Sequence, residues 1–187
     1  VSSTAVTTSI SEKSKLTKEY NSLLIGILAA IGVMSIRVLL WIFLVAPILL
    51  VELWLPILSI SVMAAIISFF LYKRVEKKSA KNKVDLSSPF TLMPAVKFGG
   101  LYLAIIAASK IGGYYLQEKG LYLTALLSGF VDIDAITLTV SGLAQNNEIT
   151  SSIAATAILI AFVTNTAIKG VYGFVFGARK FAVQLAV

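Results

Sequence analysis

Five apolar runs set the limits on what this chain can fold into. They cover residues 21–44, 48–72, 95–116, 121–141 and 152–176 in rough outline. A helix needs about 20 mostly apolar residues to cross the hydrocarbon core of a bilayer. Inside that core every backbone N–H and C=O must be satisfied within the protein, so only helices and closed barrels can span it. Barrel strands alternate apolar and polar residues over short stretches, and these runs are long and do not alternate. The expected fold is therefore all-α, a polytopic transmembrane helix bundle. Composition agrees: 58% of residues are hydrophobic and 13% are charged, where soluble domains carry about 25% charge.

The charges are sorted along the chain. Lys73, Arg74, Lys77, Lys78, Lys81 and Lys83 crowd the segment between the second and third runs, and Lys13, Lys15 and Lys18 precede the first. Basic loops stay in the cytoplasm, so residues 73–88 are expected to form a cytoplasmic loop of a multi-pass cell-membrane protein. The net charge of +7 then reports topology. The expected partner is the lipid bilayer, with a second copy of the chain as a further candidate. No nucleic acid is expected. Arg179 and Lys180 conflict with this scheme, because five crossings would leave them outside. Either the charge rule is overridden there, or the run over 121–141 is broken and does not cross.

The chain also resembles itself. "VSSTAVTTSIS" at 1–11 aligns with "VDIDAITLTVS" at 131–141, matching Val1/Val131, Ala5/Ala135, Thr7/Thr137 and Ser11/Ser141. Further on, Ser35-Ile36-Arg37 is similar to Ala167-Ile168-Lys169, each with a lone cation deep in an apolar run. Two matches in the same order point to a duplicated three-helix unit. The expected organisation is one transmembrane domain over 1–187. It has a partial first repeat at 1–44 that opens with a half-helix, a linker span at 45–72, the basic loop, and a second repeat at 89–180. On this plan Val1 lies inside a half-helix and the chain is a fragment of something longer. An odd linker span restores the direction of the chain, so the two repeats are expected to run parallel.

These motifs carry a resemblance to a known family. "VSSTA", Pro89-Phe90, Lys97-Phe98-Gly99, Gly120-Leu121-Tyr122, "SGFVDIDAITL" and "NTAIKG" at 165–170 resemble the C-terminal membrane domain, of unknown function, of MgtC/SapB-type bacterial and archaeal proteins. The resemblance implies a helical membrane fold, with more helices upstream, and a loose link to magnesium homeostasis and stress survival.

Function must then come from the polar residues left in apolar surroundings. A carboxylate at the bilayer centre costs about 2.5–3.5 kcal/mol on insertion scales, so Asp132 and Asp134 need a use. They could be structural, Asp132 capping a half-helix that follows Gly129 and Asp134 pairing with Arg37 or Lys169. They could hold a proton or a hard cation such as Mg²⁺, for which carboxylate and hydroxyl oxygens are suitable ligands. The candidate substrate or ion site comprises Asp132, Asp134, Thr137, Ser141, Asn165 and Lys169, with Ser2, Thr4, Thr7 and Arg37 as repeat counterparts. No cofactor beyond such a cation is expected. With no Cys and no His, thiolate and imidazole chemistry is absent, and no nucleophile elbow or P-loop occurs. An enzyme is not expected. The reading is a transporter or permeation unit for a small cation or a proton-coupled solute. The alternative is a regulatory or scaffolding membrane domain that transports nothing.

Overall fold

The computed structural model describes residues 3–17, 19–73 and 118–186, together with 75, 103, 107 and 111. The described residues are helical and contain no strand. The helices are α1 (Ser3–Lys13), α2 (Tyr20–Val45), α3 (Leu50–Lys73), α4 (Glu118–Val131), α5 (Asp134–Gln145), α6 (Ser151–Phe176) and α7 (Arg179–Ala186), with a 3-10 turn at Pro47–Leu49 leading into α3.

Three segments among the described residues are long and apolar enough to cross a membrane: Tyr20–Val45, Pro47–Lys73 and Ser151–Phe176. At 1.5 Å per residue, the 26 residues of α2 and of α6 each extend about 39 Å, more than the roughly 30 Å of hydrocarbon. α3 buries only Leu53, Ile57 and Ala64. Its other faces expose Val51, Leu55, Met63, Ile66 and Phe70, a distribution that suits lipid as the surrounding solvent. The sequence led to an expectation of five spans. The run at 95–116 lies outside the described residues except for Leu103, Ala107 and Ile111, which are helical, and the run at 121–141 is not a continuous helix.

That fourth run breaks after Val131. The Asp132 carboxylate turns back to accept the Asp134 N–H at 2.7 Å, so a side chain supplies the acceptor that the ladder would otherwise provide, and α5 begins there. The 14 and 12 residues of α4 and α5 extend about 21 and 18 Å, too short to cross alone. They form a re-entrant pair. Gly129, near the end of α4, abuts Ala161 and Thr164 at the middle of α6, and the Tyr172 hydroxyl donates to the Phe130 carbonyl at 2.9 Å. Leu121, near the start of α4, lies in one buried cluster with Ala154 and Ile158 of α6 and Ala144 of α5. α4 therefore enters from the N-terminal end of α6 and stops at its middle. α5 returns to the same end, where residues 146–150 lead into α6 and the Thr150 side chain accepts from the Ile153 N–H.

α2 and α6 are antiparallel. Tyr20 at the start of α2 stacks near Phe181 just beyond α6, with ring centroids 6.1 Å apart. Fourteen residues on, Met34 meets Lys169. α1 starts beside Met34 through Ser3 and ends beside the α6 terminus, where the Ser14 hydroxyl accepts from the Ala178 N–H at 2.8 Å. So α1 runs outward from mid-bundle in one direction and α5 runs outward in the other. The parallel arrangement expected from the sequence does not hold. The expectation assumed that every run crosses, and a re-entrant pair reverses the count.

The reversal also accounts for Arg179 and Lys180. They follow α6 at the end where α1 finishes with Lys13, and Leu71, near the end of α3 with Lys73, packs on the same cluster as Phe181. These basic residues gather at one face of the bundle.

Gly129 marks a close approach between α4 and α6. A Cβ there would lie 2.7 Å from the Thr164 Cβ and 2.8 Å from the Ala161 carbonyl oxygen. Since backbone cannot yield as a side chain does, Gly129→Ala is expected to cost about 2 kcal/mol and Gly129→Leu to prevent α4 from seating. Thermal unfolding in detergent reads this, and an unchanged melting temperature for Gly129→Leu would show that α4 does not pack here.

Candidate functional site

The polar side chains gather at the middle of the bundle, where α5 begins after the break at Asp132. Asp134 opens α5 and faces Arg37 of α2. The guanidinium binds it through two contacts, Nε to Oδ1 at 3.1 Å and Nη2 to Oδ2 at 2.6 Å. This fork suits a planar carboxylate, and the side chains are 27% and 11% exposed, so water screens the pair little. A negative residue in the first turn also sits favourably at the positive end of the α5 dipole.

Lys169 of α6 is the second buried cation. It is 1% exposed. Its ammonium donates to the Asn165 side-chain oxygen at 2.6 Å, to the Asn165 carbonyl at 3.0 Å and to the Met34 sulfur at 3.2 Å. Three acceptors match its three donors. No carboxylate among the described residues pairs with it. The Asn165 amide donates in turn to the Gly129 carbonyl at 2.9 Å, tying α4 to α6 next to the break. Met34 also accepts from the Ser3 hydroxyl at 3.3 Å, so α1, α2 and α6 meet at one thioether. A cavity of about 420 Å³ between α2, α6 and α7 reaches Lys169, and a smaller one of about 200 Å³ between α1 and α2 reaches Ser3 and Arg37.

Hydroxyls extend this cluster along both short helices. Ser3, Thr7, Ser11 and Ser14 are buried along α1 and its end, and Asp134, Thr137 and Ser141 along α5. These spacings of three and four residues place each set on one face of its helix.

Of the residues singled out in the sequence, the structure brings Asp132, Asp134 and Arg37 together at the start of α5, and Asn165 with Lys169 beside them. Thr137 and Ser141 are fully buried along α5, and Thr7 along α1, donating to the Ser3 carbonyl at 2.9 Å. Thr4 is not in the cluster; its carbonyl accepts from Thr8. Ser2 lies outside the described residues. The two aspartates do not share a cage: Asp132 is turned to a backbone N–H and both Asp134 oxygens face Arg37. No group of three Asp or Glu side chains suited to holding a metal occurs among the described residues.

The match to known proteins covers nearly all of these elements. Residues 1–177 match the family model described as "Domain of unknown function (DUF4010)". The chain belongs to the DUF4010 family. An uncharacterized protein of Aquifex aeolicus (strain VF5) is 32% identical over 181 residues, which is 96% of this chain and 79% of that relative. No solved structure matches. The DUF4010 match spans α1 to α6, so the re-entrant pair and the buried ion pair both fall inside the family region. Sequence reasoning missed Met34 and Ser3.

Proposed function

We propose that this DUF4010 chain is a transport or permeation unit for a small polar solute, with proton coupling at Asp134. The observation that carries this is the polar junction at mid-bundle, where α5 begins after the break at Asp132 and Asp134 meets Arg37 beside the buried Lys169. Discontinuous helices at the midplane are a common way for transporters to form a substrate site. Fixed charges inside a membrane bundle default to such use. The antiparallel α1–α2 and α5–α6 pairs resemble an inverted duplication, related by an axis in the membrane plane.

Proton coupling suits Asp134 better than a metal cage does. Both of its oxygens engage one guanidinium, and adding a proton would release Arg37 without needing further ligands. The motif resemblance to MgtC/SapB-type proteins would imply magnesium homeostasis as a context, a link the family match does not itself carry, and among the described residues the geometry offers Mg²⁺ no set of free oxygens. In reconstituted liposomes, urea or a similar small solute should enter faster than into empty vesicles, and faster still with an imposed proton gradient. Absence of any solute or ion flux above empty vesicles would overturn the reading.

The basic face is assigned to the cytoplasm by the positive-inside rule. Leu16, 89% exposed between α1 and α2, lies at that face, and the exposed Glu148 lies at the other. Leu16→Cys should be labelled by an impermeant thiol reagent from the cytoplasm only, and Glu148→Cys from outside only. Labelling of both from one side would remove the assignment.

A further inference from the structure

Many hydroxyls on the described helices satisfy themselves. Thr7, Ser35, Thr124, Thr139 and Thr166 each donate to the carbonyl four residues back on their own helix, at 2.8–2.9 Å, the usual resort of Ser and Thr in apolar surroundings. Three do not. Ser11, Thr137 and Ser141 are 0% exposed, and their hydroxyl oxygens have no hydrogen-bond partner among the described residues. A buried hydroxyl left unpaired costs about 1–3 kcal/mol, and the self-satisfying rotamer is a local remedy.

Their positions are related. Ser11 and Ser141 are the same residue in the internal alignment, and Thr137 aligns with Thr7. Ser11 lies on α1, packed between α2 and α6 on the way to the basic face. Thr137 and Ser141 lie on α5, packed between the same two helices on the way to the opposite face. The unpaired oxygens thus lie along both short helices, one set on each side of the charged centre.

We infer that these hydroxyl seams are the permeation route, two half-paths that meet at the Asp134–Arg37 pair, and that they carry a small uncharged hydrogen-bonding solute. This rests on the transport reading and specifies its route and permeant class. An uncharged permeant follows from the lining. The unpaired positions along the seams present hydroxyls and no charge. At their junction two cations, Lys169 and Arg37, stand against two carboxylates, Asp132 and Asp134, and each is held by partners inside the protein, so the centre offers no free site to an anion and none to a cation. A solute that donates and accepts hydrogen bonds would satisfy Ser11, Thr137 and Ser141 in turn.

The chain has no cysteine, so single thiols can be read without background. Ser11→Cys, Thr137→Cys and Ser141→Cys are near-isosteric and are compared with Ile158→Cys, equally buried but in the apolar cluster. A small impermeant thiol reagent should modify Ser11→Cys from the basic face and Ser141→Cys and Thr137→Cys from the other, each at least tenfold faster than Ile158→Cys. Urea in the medium should slow these reactions. Rates equal to Ile158→Cys would overturn the seams as a route even if the protein moves solute by another path. Fast modification with no solute flux would instead overturn the transport reading and leave hydrated clefts. Protection by Na⁺ or chloride but not by urea would overturn the uncharged permeant.

Discussion

Asp134→Asn is expected to destabilise the protein by about 3 kcal/mol, the range found when one partner of a buried ion pair is removed. The shape of the side chain is kept. What is lost is the charge that balances Arg37, whose Nε and Nη2 both contact the carboxylate. Arg37→Gln should cost a similar amount, since it leaves the carboxylate facing an uncharged amide. The double variant Arg37→Met with Asp134→Leu should recover most of the loss, because replacing both partners by apolar groups of similar volume is often neutral. Denaturation in detergent of Arg37→Met, Asp134→Leu, their double variant and the unaltered protein gives all four corners of this cycle. Strictly additive single losses would mean that the pair does not couple α5 to α2. Solute flux should be abolished in all of these variants, including the double variant whose stability is restored. That combination separates a functional charge from a structural one.

The same pair shows how far the sequence could be read. The long apolar runs gave helices and a membrane setting, because length and hydropathy are local properties. The break at Asp132 was also within reach. A carboxylate beside Asp134 in an apolar run is a helix-start signal, and the cap was anticipated as one use of Asp132. Arg37 as partner of Asp134 could only be offered beside Lys169, since the choice depends on how α2 and α5 face each other across 97 residues of chain. Direction was misread for a related reason. Hydropathy does not distinguish one helix that crosses from two that enter and return, and the difference lies in Gly129 seating on Ala161 and Thr164. The clue that favoured the return was the position of Arg179 and Lys180. Ser3 and Met34 carried no signal by themselves, as a serine and a methionine in apolar helices are ordinary packing.

The second large effect is expected at Asn165. Its side chain bridges two groups that have few other options: it accepts from the Lys169 ammonium and donates to the Gly129 carbonyl. Asn165→Leu conserves volume but removes both functions. The ammonium then keeps one carbonyl and a thioether, a weak acceptor, and the Gly129 carbonyl loses the amide N–H. Each orphaned group costs about 1–3 kcal/mol, more for the charged one, so a loss of about 4 kcal/mol is expected, above that for Asp134→Asn. Lys169→Met should cost less, because it removes the charge and leaves Asn165 to hold Gly129. Adding Lys169→Met to Asn165→Leu should therefore regain stability. The ordering follows from the physics of removing an acceptor from a buried cation rather than removing the cation itself. If unfolding in detergent showed Lys169→Met to be the more damaging change, Lys169 would have to be stabilised by partners other than Asn165, and the bridge between α4 and α6 would have to be assigned to the Tyr172 contact with Phe130 alone.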